Sequence, residues 1–257
     1  MRVLITGAAT GIGAQTVALL KRRGCEVTAL DIAQPQGVDR WLPVDLGDRA
    51  ATADACAQLD GPFDVLVNNA GLPPRPGNGS DVLRVNWFGL RDVTKAMLPK
   101  IVDGGRIVHT ASRAGLLWRE NIAQVKALMA LKDADALEVF ITDQGIDHTR
   151  AYILSKEAVI AYTKATTAAF LARGIRVNSV SPAPIATGIL DDFIAAIGER
   201  AVQTMQQTGR AGTPEEVAHV IAFLAHPDSH WIKGEDIVVD GGISAMSEAR
   251  ALGLVTQ

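Results

Sequence analysis

The chain has 257 residues, 48% hydrophobic and 21% charged, a balance that excludes intrinsic disorder and suits one α/β unit burying a sheet beneath helices. Its formal net charge of −3 comes without any basic block, so a nucleic-acid partner held through phosphates has nothing to rest on. No apolar run reaches membrane-spanning length, the chain reads as strand from Val3 with no leader, and Cys25 and Cys56 suit buried thiols; a cytoplasmic protein without membrane partners is expected.

Residues 3–6 form the first predicted strand. Thr6-Gly7-Ala8-Ala9-Thr10-Gly11-Ile12-Gly13 follows at once and opens into a helical pattern at Val17, Leu19 and Leu20. A phosphate bound at a helix start needs close backbone approach and free N–H donors, which glycines permit. Gly7, Thr10, Gly11, Ile12 and Gly13 are therefore candidate dinucleotide-binding residues, the alternative being an ordinary strand-to-helix turn. A second strand over 26–31 ends on Asp31, about twenty residues beyond the glycines, where a carboxylate can accept hydrogen bonds from adenosine ribose hydroxyls. No Lys or Arg stands at 8–10 to attract a 2′-phosphate, so NAD is expected over NADP; a solvated strand-end aspartate is the alternative.

Pro35, Gly37 and Pro43 leave no room for a crossover helix between Asp31 and Asp45, and 41–44 is a weak strand. Strands over 65–68, 106–112, 176–180 and 237–240 alternate with helical stretches. The fold expected is α/β, a single Rossmann-type doubly wound parallel sheet with helices on both faces, spanning 1–257. Residues 116–150 stand apart: Ile122, Val125, Leu128 and Met129, then Leu137, Phe140 and Ile141, recur at helical spacing. Two short amphipathic helices are expected there, as a wall over a substrate or as packing at a subunit contact. Tyr152-Ile153-Leu154-Ser155-Lys156 begins the next helix and sets Tyr152 and Lys156 on one face. A tyrosine is a poor base at its ordinary pKa of about 10, and a neighbouring ammonium favours its phenolate; a surface pair is the other reading. Thr213-Pro214-Glu215-Glu216 supplies an N-cap, a first-turn proline and a capping-box glutamate, with Val217, Val220, Ile221 and Leu224 as the buried face.

Taken together, TGAATGIG at 6–13, NNAG at 68–71, Ser112 at a strand end and YILSK at 152–156 occur in an order that resembles the short-chain dehydrogenase/reductase family over nearly the whole chain. The resemblance implies catalytic roles for Asn86, Ser112, Tyr152 and Lys156: Ser112 holding the substrate oxygen, Tyr152 exchanging its proton, Lys156 holding the nicotinamide ribose, and Asn86 anchoring a water. It further implies that Asn68, Ala70 and Gly71 line the adenosine side and that Asp45 and Leu46 meet the adenine. Val180, Ser181, Pro182, Ile185 and Thr187 would approach the nicotinamide. The chain departs from the family in Pro182-Ala183, in Ala111, and in the long separation of Ser112 from Tyr152. That separation, with the short Asp31 to Asp45 link and the ending Asp240-Gly241-Gly242-Ile243, makes it look most like the bacterial hydroxysteroid and coniferyl alcohol dehydrogenase subgroup.

Leu72, Pro73, residues 116–118, Ile189, Leu190 and Phe193 suit an apolar wall for an aromatic or alicyclic alcohol, or equally a packed core. Arg113 and Arg119 could receive a carboxylate, though solvated arginines are the plainer reading. The five histidines show no metal-ligand spacing. The expected function is NAD-dependent transfer of a hydride between an alcohol or carbonyl substrate and nicotinamide, in a dimer or tetramer. A carbonyl reductase working in reverse and a non-catalytic NAD-sensing protein are the alternatives.

Overall fold

The computed structural model describes residues 1–188, 190–197 and 206–254. The first half of the chain runs β1 (Arg2–Thr6), α1 (Gly11–Arg22), β2 (Glu26–Asp31), β3 (Arg40–Pro43), α2 (Arg49–Ala57) and β4 (Phe63–Asn68). It continues through α3 (Gly79–Leu83), a π-helical stretch (Arg84–Gly89), α4 (Leu90–Met97), β5 (Ile101–Thr110) and a 3₁₀ turn (Arg113–Arg119). Then come α5 (Ile122–Ala130), α6 (Leu137–Asp143), α7 (His148–Leu171), β6 (Arg176–Pro182), α8 (Leu190–Ile197), α9 (Pro214–Leu224), β7 (Asp236–Val239) and α10 (Ile243–Ala251). The strands form one parallel sheet in the order β3-β2-β1-β4-β5-β6-β7, the doubly wound arrangement the alternation of strands and helices implies.

Alternation along β1 assigns its side chains to two cores. Val3 and Ile5 pack with Val17 and Leu20 of α1 and Val217, Ile221 and Leu224 of α9. Leu4 faces the other layer, with Val93 and Met97 of α4 and Phe170 of α7. The chain order reverses between β1 and β4, which opens a crevice beyond the carboxyl ends of those strands. As expected, no helix crosses between β2 and β3; that link is held by Asp39, whose carboxylate accepts from Lys21 Nζ at 2.6 Å and from the Val27 N–H at 2.6 Å. β3 begins one residue earlier than the pattern predicts.

The 116–150 segment contains the two expected helices, preceded by the 3₁₀ turn. α5 packs on α7 and α6 on α3, with Val125, Leu128, Leu137 and Phe140 buried in the same cluster as Leu154 and Tyr162. Buried Arg91 donates to the Leu131 and Lys132 carbonyls at 2.7 and 2.9 Å and so closes the end of α5. Fully buried Glu157 accepts from Asn121 and from Arg150, both at 2.6 Å; the first bond ties the start of α5 to α7, and Arg150, itself in α7, donates also to Gln124 of α5 at 2.7 Å.

His109 lies wholly inside this layer. Asn68 Nδ2 is 3.1 Å from His109 Nδ1 and 2.9 Å from Thr94 Oγ1. The two side chains therefore share a hydrogen bond inside the core, and the ring stands neutral there. Burial pushes the His109 pKa down to about 3. A group depressed in the folded state contributes stability that is complete above its unfolded pKa of about 6.5 and is lost as pH falls toward the folded value. Acid unfolding followed by circular dichroism is therefore expected to be less steep below about pH 6 for His109→Gln than for the wild type; equal slopes would show that this ring does not govern acid stability.

Candidate active site

The crevice at the β1/β4 reversal continues into a cleft of about 1700 Å³. At one end lies the start of α1. Thr10 occupies the cap position but makes no side-chain cap bond, and the first turn carries no acidic residue. Those helix-terminal N–H groups and the dipole behind them are available to an anion. Gly7 and Gly11 adopt left-handed φ of 67° and 55°, and both line the cleft with Thr10 and Ile12. Gly13 does not line it. A Cβ there would stand 1.8 Å from the Gly7 carbonyl oxygen, so this glycine, expected at the ligand, instead allows helix and turn to pack.

Asp31 is fixed beside that turn, its carboxylate accepting from the Ala9 N–H at 2.8 Å and the Ala33 N–H at 3.0 Å. Asp45, Leu46, Ala70 and Gly71 also line the cleft. Asn68 departs from expectation: its side chain points into the core toward Thr94 and His109. Asn69 takes the cleft position, donating to the Gly7 carbonyl at 2.8 Å and accepting from Thr110 Oγ1 at 3.2 Å. Parity at the end of β4 decides this, since neighbouring residues of a strand face opposite ways.

At the other end, Ser112 caps the 3₁₀ turn, accepting from the Ala114 N–H at 3.2 Å, and shares a hydrogen bond with the Tyr152 hydroxyl. Lys156 Nζ donates to the Thr110 carbonyl at 3.0 Å and lies 5.8 Å from the centre of the Tyr152 ring. Burial pushes the Tyr152 phenol up to about 12 against the opposing Ser112 bond, and pushes Lys156 down to about 8. The protein by itself thus keeps the phenol protonated, and desolvation outweighs the Ser112 bond.

Asn86 sits behind this group on the π-helical stretch. Its Oδ1 accepts from the Leu72 N–H at 2.7 Å and its Nδ2 donates to the Leu72 carbonyl at 3.1 Å. That side chain holds the loop after β4 rather than facing the cleft. Pro182, Ile185 and Thr187 line the far wall. Val180 and Ser181 do not: Ser181 donates to Asp236 at 2.9 Å inside the sheet. Leu72, Leu116 and Leu117 line the cleft, whereas Pro73 and Trp118 do not; Trp118 packs on the core. Ile189 and the side chain of Phe193 lie outside the described residues. Within the 116–150 segment only Leu116, Leu117, Asn121, Thr149 and Arg150 reach the cleft, so the two helices support its wall from behind. Ser244 and Ser247 of α10 line it too, with no sequence signal beyond their place after the last strand.

This combination of doubly wound sheet, open helix start and half-buried Ser112 bonded to buried Tyr152 beside buried Lys156 defines a class, the oxidoreductases built on a dinucleotide-type fold. The chain belongs to the short-chain dehydrogenase family: the short chain dehydrogenase pattern matches residues 1–125, and that of enoyl-(acyl carrier protein) reductase matches 135–244. It is 30% identical to coniferyl-alcohol dehydrogenase of Pseudomonas sp. (strain HR199), covering 95% of this chain and 96% of that protein. It is 31% identical to 3-alpha-hydroxysteroid dehydrogenase/carbonyl reductase of Comamonas testosteroni, with the same coverage. Among solved structures, 3-alpha-hydroxysteroid dehydrogenase from Pseudomonas sp. B-0831, complexed with NADH, superposes with a TM-score of 0.83 at 30% identity over 97% of this chain and 99% of that one.

The 3₁₀ turn rests on α7 through Gly115, where a Cβ would meet the Lys156 backbone at 2.7 Å. Gly115→Ala is expected to cost about 1–3 kcal/mol by overpacking, read as a lower urea midpoint. An unchanged midpoint would mean the turn has room to lift.

Proposed function

We propose that this chain is an NAD-linked alcohol and carbonyl oxidoreductase in which Tyr152 exchanges a proton with the substrate oxygen and Ser112 holds that oxygen. The observation that carries the reading is the hydrogen bond between Ser112 and buried Tyr152, beside Lys156 in a cleft that ends at the open start of α1. The residues fit a nicotinamide dinucleotide: the helix start suits its diphosphate, Gly11 keeps side-chain atoms out of the approach, and Asp31 suits a ribose diol. When bound, the oxidised dinucleotide supplies the hydride acceptor and a positive ring.

The protein's own part is proton management. With the phenol near 12, Tyr152 stands protonated and carries the proton a carbonyl oxygen would need. Raising its pKa by about two units costs the phenolate about 3 kcal/mol, so turnover in either direction needs added positive charge beside the ring. A second reading, a carbonyl reductase working mainly in the reductive direction, is supported by the carbonyl reductase name of the Comamonas testosteroni relative. Lys156, still charged at neutral pH, is oriented by the Thr110 carbonyl toward the space between Tyr152 and the ribose end of the cleft. Asn86 acts by positioning Leu72 and the loop that bears it.

The carboxylate of Asp31 would repel a 2′-phosphate, and the NADH complex of the similar hydroxysteroid enzyme supports NAD. Leu72, Leu116, Leu117, Ile153 and Pro184 give the cleft an apolar wall, which together with the names of its relatives supports a coniferyl-type aromatic alcohol or an alicyclic alcohol such as a hydroxysteroid. Exposed Phe223, Trp231 and Val238 support a homo-oligomer, and no described helix is long and apolar enough to cross a membrane, which accords with a cytoplasmic enzyme.

Tyr152→Phe is expected to lower kcat by about 10²–10⁴-fold while NADH fluorescence still reports cofactor binding; full turnover in that variant on a panel of alcohols and ketones would remove the tyrosine from the chemistry. Asp31→Ala is expected to raise the ratio of NADP to NAD turnover, measured as kcat/KM with each cofactor. Preference for NADP in the unmodified protein would overturn the assignment.

A further inference from the structure

Arg113 follows Ser112 directly and lines the same cleft. Its Nε lies 3.3 Å from Ser244 Oγ and 3.6 Å from Asp240 Oδ2. Asp240 is already engaged with backbone, accepting from the Gly242 N–H at 2.9 Å and the Ser244 N–H at 2.7 Å. Among the described residues, neither terminal nitrogen of Arg113 has a hydrogen-bond partner. Arg84 and Arg150, which also line the cleft, differ: Arg84 is engaged by Ser80, the Ala134 carbonyl and Glu138, and Arg150 Nε donates to Gln124 at 2.7 Å and its Nη2 to buried Glu157 at 2.6 Å. Ser244 and Ser247 stand three apart on α10 and share the face that lines the cleft beside Arg113.

A guanidinium offers its donors as a planar fork that matches a carboxylate in two parallel bonds. The pairing with Asp240 runs through Nε and leaves the two terminal nitrogens as a fork that suits a monoanion, while Asp240 disfavours a phosphate dianion. We infer that Arg113, with the hydroxyls of Ser244 and Ser247, is a subsite for a carboxylate carried by the alcohol substrate at the end remote from its reacting hydroxyl. The inference rests on the oxidoreductase reading and narrows its substrate to hydroxy acids with an apolar aromatic or alicyclic body.

The test compares 4-(hydroxymethyl)benzoate with its neutral isostere 4-(hydroxymethyl)benzamide, using the full chain and NAD. The ratio of their kcat/KM values is expected to favour the carboxylate about tenfold, equivalent to about 1.4 kcal/mol, and to fall with added salt. In Arg113→Gln the ratio is expected to drop to near one, and in Arg113→Lys to stay between the two. A ratio near one in the unmodified protein, or one that survives in Arg113→Gln, overturns the subsite. Calorimetric titration of the NAD-loaded protein with unreactive 4-methylbenzoate and 4-methylbenzamide separates this from the parent reading. Tighter, Arg113-dependent binding of the benzoate without Tyr152-dependent turnover of any alcohol would leave the subsite standing and fell the oxidoreductase reading, whereas equal binding of the two would overturn the subsite.

Discussion

A lysine held in the interior by one backbone carbonyl is the contact on which the cleft turns. Lys156 is almost completely buried, and the Thr110 carbonyl fixes its ammonium. Water cannot solvate that charge freely, so the packing around it has to be close and small. Gly71 brings backbone close to Lys156 and Asn86, and Gly115 lets the turn bearing Ser112 lie directly on the Lys156 peptide. The same exclusion of solvent sets Tyr152 and Lys156 in opposite directions, the phenol harder to ionise and the ammonium easier to discharge. One physical cause, desolvation, thus accounts for both the closeness of the packing and the acid-base state of the pair.

Much of this was legible in the chain. Local signals carried the glycine turn, the sheet with its missing β2–β3 helix, the capping box at Thr213, which forms with Glu216, and the pairing of Tyr152 with Lys156 on one face. What failed lay one residue away from a correct motif or far along the chain. Asn68 and Asn69 are identical letters, and only the parity of the strand end tells which faces the cleft. Gly13 belongs to the glycine motif, yet its hydrogen is needed for the Gly7 carbonyl rather than for a ligand. The Asn121–Glu157 and Gln124–Arg150 bonds and the serines of α10 depend on contacts between separate segments, which no local period encodes.

The 116–150 segment shows how apolar pattern and function separate. Its helical stripes were read correctly as buried faces, but they are buried on α3 and α7, the layer that carries Tyr152. The segment stiffens the wall of the site from behind and reaches the cleft only through its two ends. Anchoring by Arg91 at the end of α5 and by Glu157 at its start makes it part of the core.

The π-helical stretch between α3 and α4 has a consequence for how this chain tolerates change in length. A wider turn accommodates one more residue than an α-helix would, and here it lets Asn86 face Leu72 while Arg91, further along the same rod, faces the carbonyls ending α5. Losing a single residue within 84–89 would rotate one of these faces by about 100° relative to the other. The Asn86 clamp and the Arg91 clamp would then no longer engage together, so this short stretch acts as a phasing element whose residue count matters more than most of its side chains.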